Sequence, residues 1–209
     1  MQVLNELFEK NKNWVTKITD EDPQFFTQLA KDQKPEYLWI GCADSRVPPN
    51  LIVDLPPGEI FVHRNIANLV VHTDLNFLSV MQYAVDVLKV KHIVVCGHYG
   101  CGGVKAALGD HQYGLIDNWL RHIKDVYNRY VEEINSLQDE EAKFRLLCEK
   151  NVIEQVTNVC NTTIVQNTWK SGRELSVHGL IYDIADGMLK DLEVCTTGQE
   201  QIGSAYKMV

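Results

Sequence analysis

The first stretch of the chain places Val3, Leu4, Leu7, Phe8, Trp14, Val15 and Ile18 at helical spacing with charged residues between them, which predicts an amphipathic helix in need of an apolar surface. Two short apolar runs follow, YLWIG at 37–41 and EIFVH at 59–63, and both read as strands. Between them Pro48, Pro49, Pro56, Pro57 and Gly58 predict irregular backbone. LNFLSVMQYAVDVL is apolar over much of its circumference and predicts a helix from Asp74, a candidate N-cap, to Lys89. So broad an apolar face needs cover on two sides, which points to a subunit interface. HIVVC at 92–96 is a third strand. After Gly102 and Gly103 come helical segments, including a long one from about Asp139 to Trp169 ended by Gly172. ELSVHGLIYDI and MLKDLEV predict a closing hairpin around Asp186 and Gly187. The final TTGQEQIGSAYKMV carries weak signals and is expected to be partly disordered.

Composition narrows the function classes. With 45% hydrophobic residues in 209, the chain can bury a full-sized core as one domain. A net charge of −8 and the absence of any Lys/Arg cluster argue against nucleic acid as a partner. The start, MQVLNELFEKNKNW, has no basic leader and no continuous apolar stretch, and nowhere is a run long enough to cross a bilayer. A cytoplasmic protein is the expectation, with an organelle as the alternative if a transit sequence has been removed. Of the six cysteines, Cys96, Cys148, Cys160 and Cys195 lie in the apolar or helix-like contexts of buried free thiols rather than in a disulfide scaffold.

The other two cysteines belong to tight pairs of metal-binding side chains: Cys42 and Asp44 in IGCADSRVP, His98 and Cys101 in VVCGHYGCGG. Each pair follows an apolar β-branched run, so each is expected at the carboxyl end of a strand, where open α/β sheets build their sites. Two thiolates, an imidazole and a carboxylate suit Zn2+ better than calcium or magnesium. If Cys42, His98 and Cys101 bind, one position stays free, which is the catalytic arrangement; a fourth bond from Asp44 would close it. A charge-assisted pair with Arg46 would hold Asp44 off the metal. Two competing readings are weaker. A structural zinc ribbon calls for paired C-x-x-C loops, and a phosphate-cradling loop at GHYGCGG lacks both the Lys-Ser/Thr ending and the G-x-G-x-x-G spacing.

C-x-D-x-R together with H-x-x-C resembles the signature of the β-class carbonic anhydrases. The similarity runs from about Leu7 to Asp191 and includes FVHRNIAN at 61–68, SVMQYAVDVLKVKHIVVCGHYGCGG at 79–103 and LSVHGLIYDI at 175–184. The resemblance implies an α/β fold with a mostly parallel central β-sheet flanked by helices and an oligomeric assembly. It divides the chain into a helical arm at 1–34, a zinc-binding core at 35–196 and a tail at 197–209. N-terminal helices in the family pack across a neighbouring subunit, so a homodimer or a dimer of dimers is expected. The implied reaction is reversible hydration of CO2 to bicarbonate, with Asp44 and Arg46 as the catalytic pair and Gln33, Phe61 and Tyr83 lining a substrate pocket shared between subunits. A subset of the family binds a second, regulatory bicarbonate at positions matched here by Trp39, Arg64 and Tyr182, which favours the closed state with Asp44 on zinc. Higher pH is then expected to favour the open state. Any of His63, His72, His92, His111, His122 and His178 could carry protons, with His63 and His178 expected as buried partners in strands. The alternatives are a CS2 or carbonyl sulfide hydrolase of the same fold and a zinc-containing binding module without turnover.

Overall fold

The computed structural model describes residues 2–208, with side chains from Leu4 to Met208. The side chain of Val3, one of the apolar stripe, lies outside the described residues. The chain divides into two units, residues 1–34 and 35–209. In the first, α1 (Gln2–Glu21) is the expected amphipathic helix and α2 (Phe25–Leu29) turns back on it. Trp14 meets Phe26 edge-on at 5.4 Å, while Leu4, Leu7 and Phe8 stay more than half exposed on the single chain.

The second unit is built on five strands: β1 (Tyr37–Cys42), β2 (Ile60–Asn65), β3 (His92–His98), β4 (Ser176–Asp183) and β5 (Met188–Thr196). Their order is β2-β1-β3-β4-β5, parallel from β2 through β4, with β5 antiparallel to β4 across the expected hairpin. β-Branched runs buried on both faces are what a parallel sheet under helices requires. On one face Leu38, Ile40, Val95 and Val177 pack against Phe77 and Met81, and against Val152, Val156 and Val159. The other face carries a smaller cluster of Trp39, Val94 and Cys96, with Tyr37, Leu180, Tyr182 and Leu189 packed against it.

Between β1 and β2 the proline-rich stretch is not wholly irregular. Pro49 opens a short helix, α3 (Pro49–Ile52), because its fixed φ suits the first helical position and its missing N–H costs nothing there. The expected helix after Asp74 forms as α4 (Leu75–Gln82), with the Asp74 carboxylate accepting from the N–H groups of Asn76 and Phe77, and continues as a π turn over Tyr83–Val87. Its inner residues Phe77, Met81, Ala84 and Val85 are buried, and Leu75, Tyr83 and Val87 are exposed. After β3 come α5 (Gly102–Leu108), α6 (Ile116–Arg129) and α7 (Val131–Ser136).

The long helix expected from Asp139 to Trp169 is two helices, α8 (Glu140–Cys160) and α9 (Thr163–Lys170). Thr162 adopts an extended conformation and its hydroxyl accepts from Val165 N–H, so it caps a new helix instead of continuing the old one. The tail expected to be partly disordered is fastened to α9. The buried Gln166 amide donates to Tyr206 O at 2.9 Å and accepts from Met208 N–H at 2.8 Å, and Ile202 is buried. Cys195, expected among the buried thiols, is exposed because it lies on β5 at the sheet edge. Among the described residues no helix is long and apolar enough to cross a membrane.

Candidate metal centre

β1 and β3 are parallel neighbours with Gly41 opposite Cys96, so their carboxyl ends bring Cys42 and His98 side by side. Gly100, at φ +71, then turns the chain sharply enough to return Cys101 to the same place as the N-cap of α5. One donor atom from each of Cys42, His98 and Cys101 lies within 4.8 Å of the others, and all three residues are buried. Cys42 Sγ and Cys101 Sγ are 3.9 Å apart.

His98 Nδ1–H donates to the carbonyl of Tyr99 at 3.0 Å, which leaves Nε2 as the basic nitrogen. That Nε2 is fully buried and has no protein partner. A buried imidazole lone pair without a donor is costly, and a cation between it and the two sulfurs satisfies it. The thiols fit the same role. The two sulfurs are close enough for one to donate to the other, a contact that lowers the Cys42 thiol and drives that of Cys101 up. The donor set therefore fits a borderline divalent cation, zinc above all.

Asp44 stands beside the three donors and outside the cluster, with Oδ2 3.8 Å from His98 Nε2. Arg46 grips it in a fork: Nε donates to Oδ1 at 2.9 Å, Nη2 to Oδ2 at 2.6 Å, and the Arg46 backbone N–H adds a third bond at 3.0 Å. These bonds hold the carboxyl well below the usual carboxylate range. The structure thus has Asp44 paired to Arg46.

Phe61 and Tyr83 meet with ring centroids 5.8 Å apart, so strand β2 and the π turn after α4 bring these two expected pocket residues together. Gln33 lies in the exposed segment after α2, in the first unit. Trp39 and Tyr182 share the smaller apolar cluster. The indole lies across Gly41, where any Cβ would stand 2.8 Å from Nε1. Arg64, paired with Gly41 across β2, donates to Cys42 O at 2.7 Å and to Asp44 O at 2.5 Å. His63 is buried beside Asn65, as expected, whereas His178 is only half-buried and hydrogen-bonds His92 at 3.2 Å. Two features escaped the sequence reading: the orienting carbonyl of Tyr99, and the turn at Ala67 and Asn68, both at positive φ.

Three donors at the ends of parallel strands, with a clamped carboxylate beside them, define the class: an α/β protein with a three-donor metal centre of the catalytic kind. The model of the carbonic anhydrase family matches residues 37–189. Carbonic anhydrases of Emericella nidulans and Candida albicans are 49% and 41% identical to this chain, covering 92% and 91% of it and 85% and 68% of their own lengths. A tetrameric β-carbonic anhydrase of Sordaria macrospora superposes with a TM-score of 0.89 at 39% identity, covering 94% of this chain and all of its own. The Coccomyxa β-carbonic anhydrase in complex with acetazolamide gives 0.90 at 43%, covering 94% and 89%. The chain belongs to the β-class carbonic anhydrases and is an enzyme of that family.

Proposed function

We propose that the chain binds one zinc through Cys42, His98 and Cys101 and uses it for the reversible hydration of CO2 to bicarbonate and a proton. The observation that carries this is the orphaned His98 Nε2 facing two buried sulfurs 3.9 Å apart, with one donor atom from each of the three residues within 4.8 Å of the others. Zinc held there supplies Lewis acidity, which makes water a nucleophile near neutral pH. The chain's own residues do the rest. Tyr99 O fixes the His98 tautomer. Arg46 keeps Asp44 ionised and turned away from the three donors, so that the carboxylate can accept a hydrogen bond from the attacking water and orient it toward substrate. Phe61 and Tyr83 supply an apolar wall for CO2, and Gln33 a donor for bicarbonate.

Regulation by bicarbonate follows from Arg64. An anion held by Arg64, Trp39 and Tyr182 competes for the guanidinium with the carbonyls of Cys42 and Asp44, loosening the turn that sets Asp44 and favouring its move onto the metal. Arg64→Ala is then expected to retain zinc and to lose inhibition by added bicarbonate beyond ordinary product inhibition; undiminished inhibition in a dose series removes the regulatory site and leaves the hydratase reading intact. The exposed apolar residues of α1 and of the α4 face support a homodimer or a dimer of dimers, as does the tetramer of the Sordaria relative. Metal analysis tests the zinc reading: about one zinc per chain in the purified protein, lost with Cys101→Ser.

A further inference from the structure

Helix α8 carries three amide side chains on one stripe, Asn151, Gln155 and Asn158, at the spacing of successive turns. Asn151 and Gln155 are buried, at 1% and 2% exposure. Such groups destabilise a core unless every polar atom is matched, and these are matched in a single run. Asn151 Nδ2 donates to Ala67 O at 3.0 Å, and Gln155 Nε2 donates to Asn151 Oδ1 at 3.1 Å. Gln155 Oε1 accepts from Val70 N–H at 2.8 Å, and Asn158 Nδ2 donates to Val70 O at 3.1 Å. The run ends at the surface with Asn158 Oδ1 against His72.

Three of these bonds grip residues 67–70, and that segment is strained. Ala67 and Asn68 are consecutive non-glycine residues at φ 64 and 50, a left-handed conformation that a side chain such as that of Ala67 rarely adopts. The strained turn lies against the metal centre. It begins two residues after Asn65, the register partner of Cys42 on β2, and Ala67 shares a buried cluster with Cys42 and Cys101. A Cβ on Gly103, two residues past Cys101, would stand 3.2 Å from the Ala67 Cβ, so the turn packs closely on the start of the helix that Cys101 caps.

We infer that Asn151 is a positioning residue for the metal centre: through Ala67 it holds the left-handed turn that packs against Cys42 and Cys101, with Gln155 and Asn158 bracing it. The inference rests on the zinc reading above. Its consequence is tighter retention of metal and a tuned Cys42–metal bond, beyond any gain in fold stability.

The test compares Asn151→Ala with Val156→Ala, a cavity on the same helix among the residues packed on the sheet away from the cysteines. Loss of zinc to a chelator and the sulfur-to-metal charge-transfer band of the cobalt-substituted protein are measured beside thermal stability. Asn151→Ala is expected to lose zinc at least about ten-fold faster and to shift the band, whereas Val156→Ala lowers stability and changes neither. Should Asn151→Ala fail to fold, Asn158→Ala at the half-buried end of the run reads the same quantities, with a smaller change of the same sign expected. Wild-type zinc loss and an unshifted band in the amide variant that folds would make the run a structural device only and overturn the inference. A wild-type chain that binds no metal would instead refute the zinc reading on which it rests.

Discussion

Arg46 works through geometry as much as through charge. Its fork on Asp44 is surface-accessible, and ion pairs of that kind contribute little to stability. Their value here lies in where they leave the carboxylate: ionised, 3.8 Å from His98 Nε2 and outside the ligand cluster. Arg46→Ala is therefore expected to keep its zinc and its melting temperature while turnover falls by about 10²-fold or more, since the freed carboxylate can occupy the open position. Asp44→Asn should likewise retain zinc and lose turnover. Stopped-flow rates with metal content on the same samples decide this, and wild-type turnover in Arg46→Ala removes the pair from the mechanism. Residues of this sort are legible in the sequence because side-chain chemistry announces them: Cys42, Asp44 and Arg46 sit within five positions, and His98 and Cys101 within four. What stays hidden acts through backbone. Tyr99 contributes its carbonyl, and Ala67 a left-handed φ, roles that leave no mark in residue type.

At the scale of elements, strand positions and the Asp74 cap follow from apolar runs and local capping chemistry, and the structure keeps them. The division between α8 and α9 is different. Residues 139–169 have continuous helical periodicity, and only the extended backbone of Thr162 shows that its hydroxyl caps a second helix. The buried amides of α8 also read against the pattern, since their partners on residues 67–70 lie more than eighty positions away. The β4–β5 hairpin carries its own electrostatic clasp. Asp183 accepts from Arg145 of α8 at 2.9 Å and from Lys190 of β5 at 3.2 Å, and Arg145 stacks on the Tyr99 ring at 3.5 Å from its centroid. The Arg145 bond above all lowers the Asp183 carboxyl from 3.8 to about 2. Because the folded value lies below the unfolded one, the clasp stabilises fully above about pH 4 and is lost as pH falls toward 2. Asp183→Asn should consequently melt earlier than wild type at pH 6, with the difference shrinking steadily below pH 4. A gap that stays constant down to pH 2 contradicts the clasp.

For the whole molecule, the single chain leaves apolar surface on both units: Leu4, Leu7 and Phe8 on α1, and Leu75, Tyr83 and Val87 on or just after α4. Exposed apolar faces of that size mark association surfaces. Sedimentation at micromolar concentration is expected to give a dimer or a tetramer, and an active monomer there contradicts the assembly. The central claim is that Cys42, His98 and Cys101 hold the zinc that hydrates CO2. Stopped-flow measurement of CO2 hydration on samples of known zinc content tests it most directly. Activity is predicted to rise in proportion to bound zinc up to one per chain and to vanish with the metal in Cys101→Ser. Undiminished hydration by metal-free protein, or none by the fully zinc-loaded chain at alkaline pH, would contradict it.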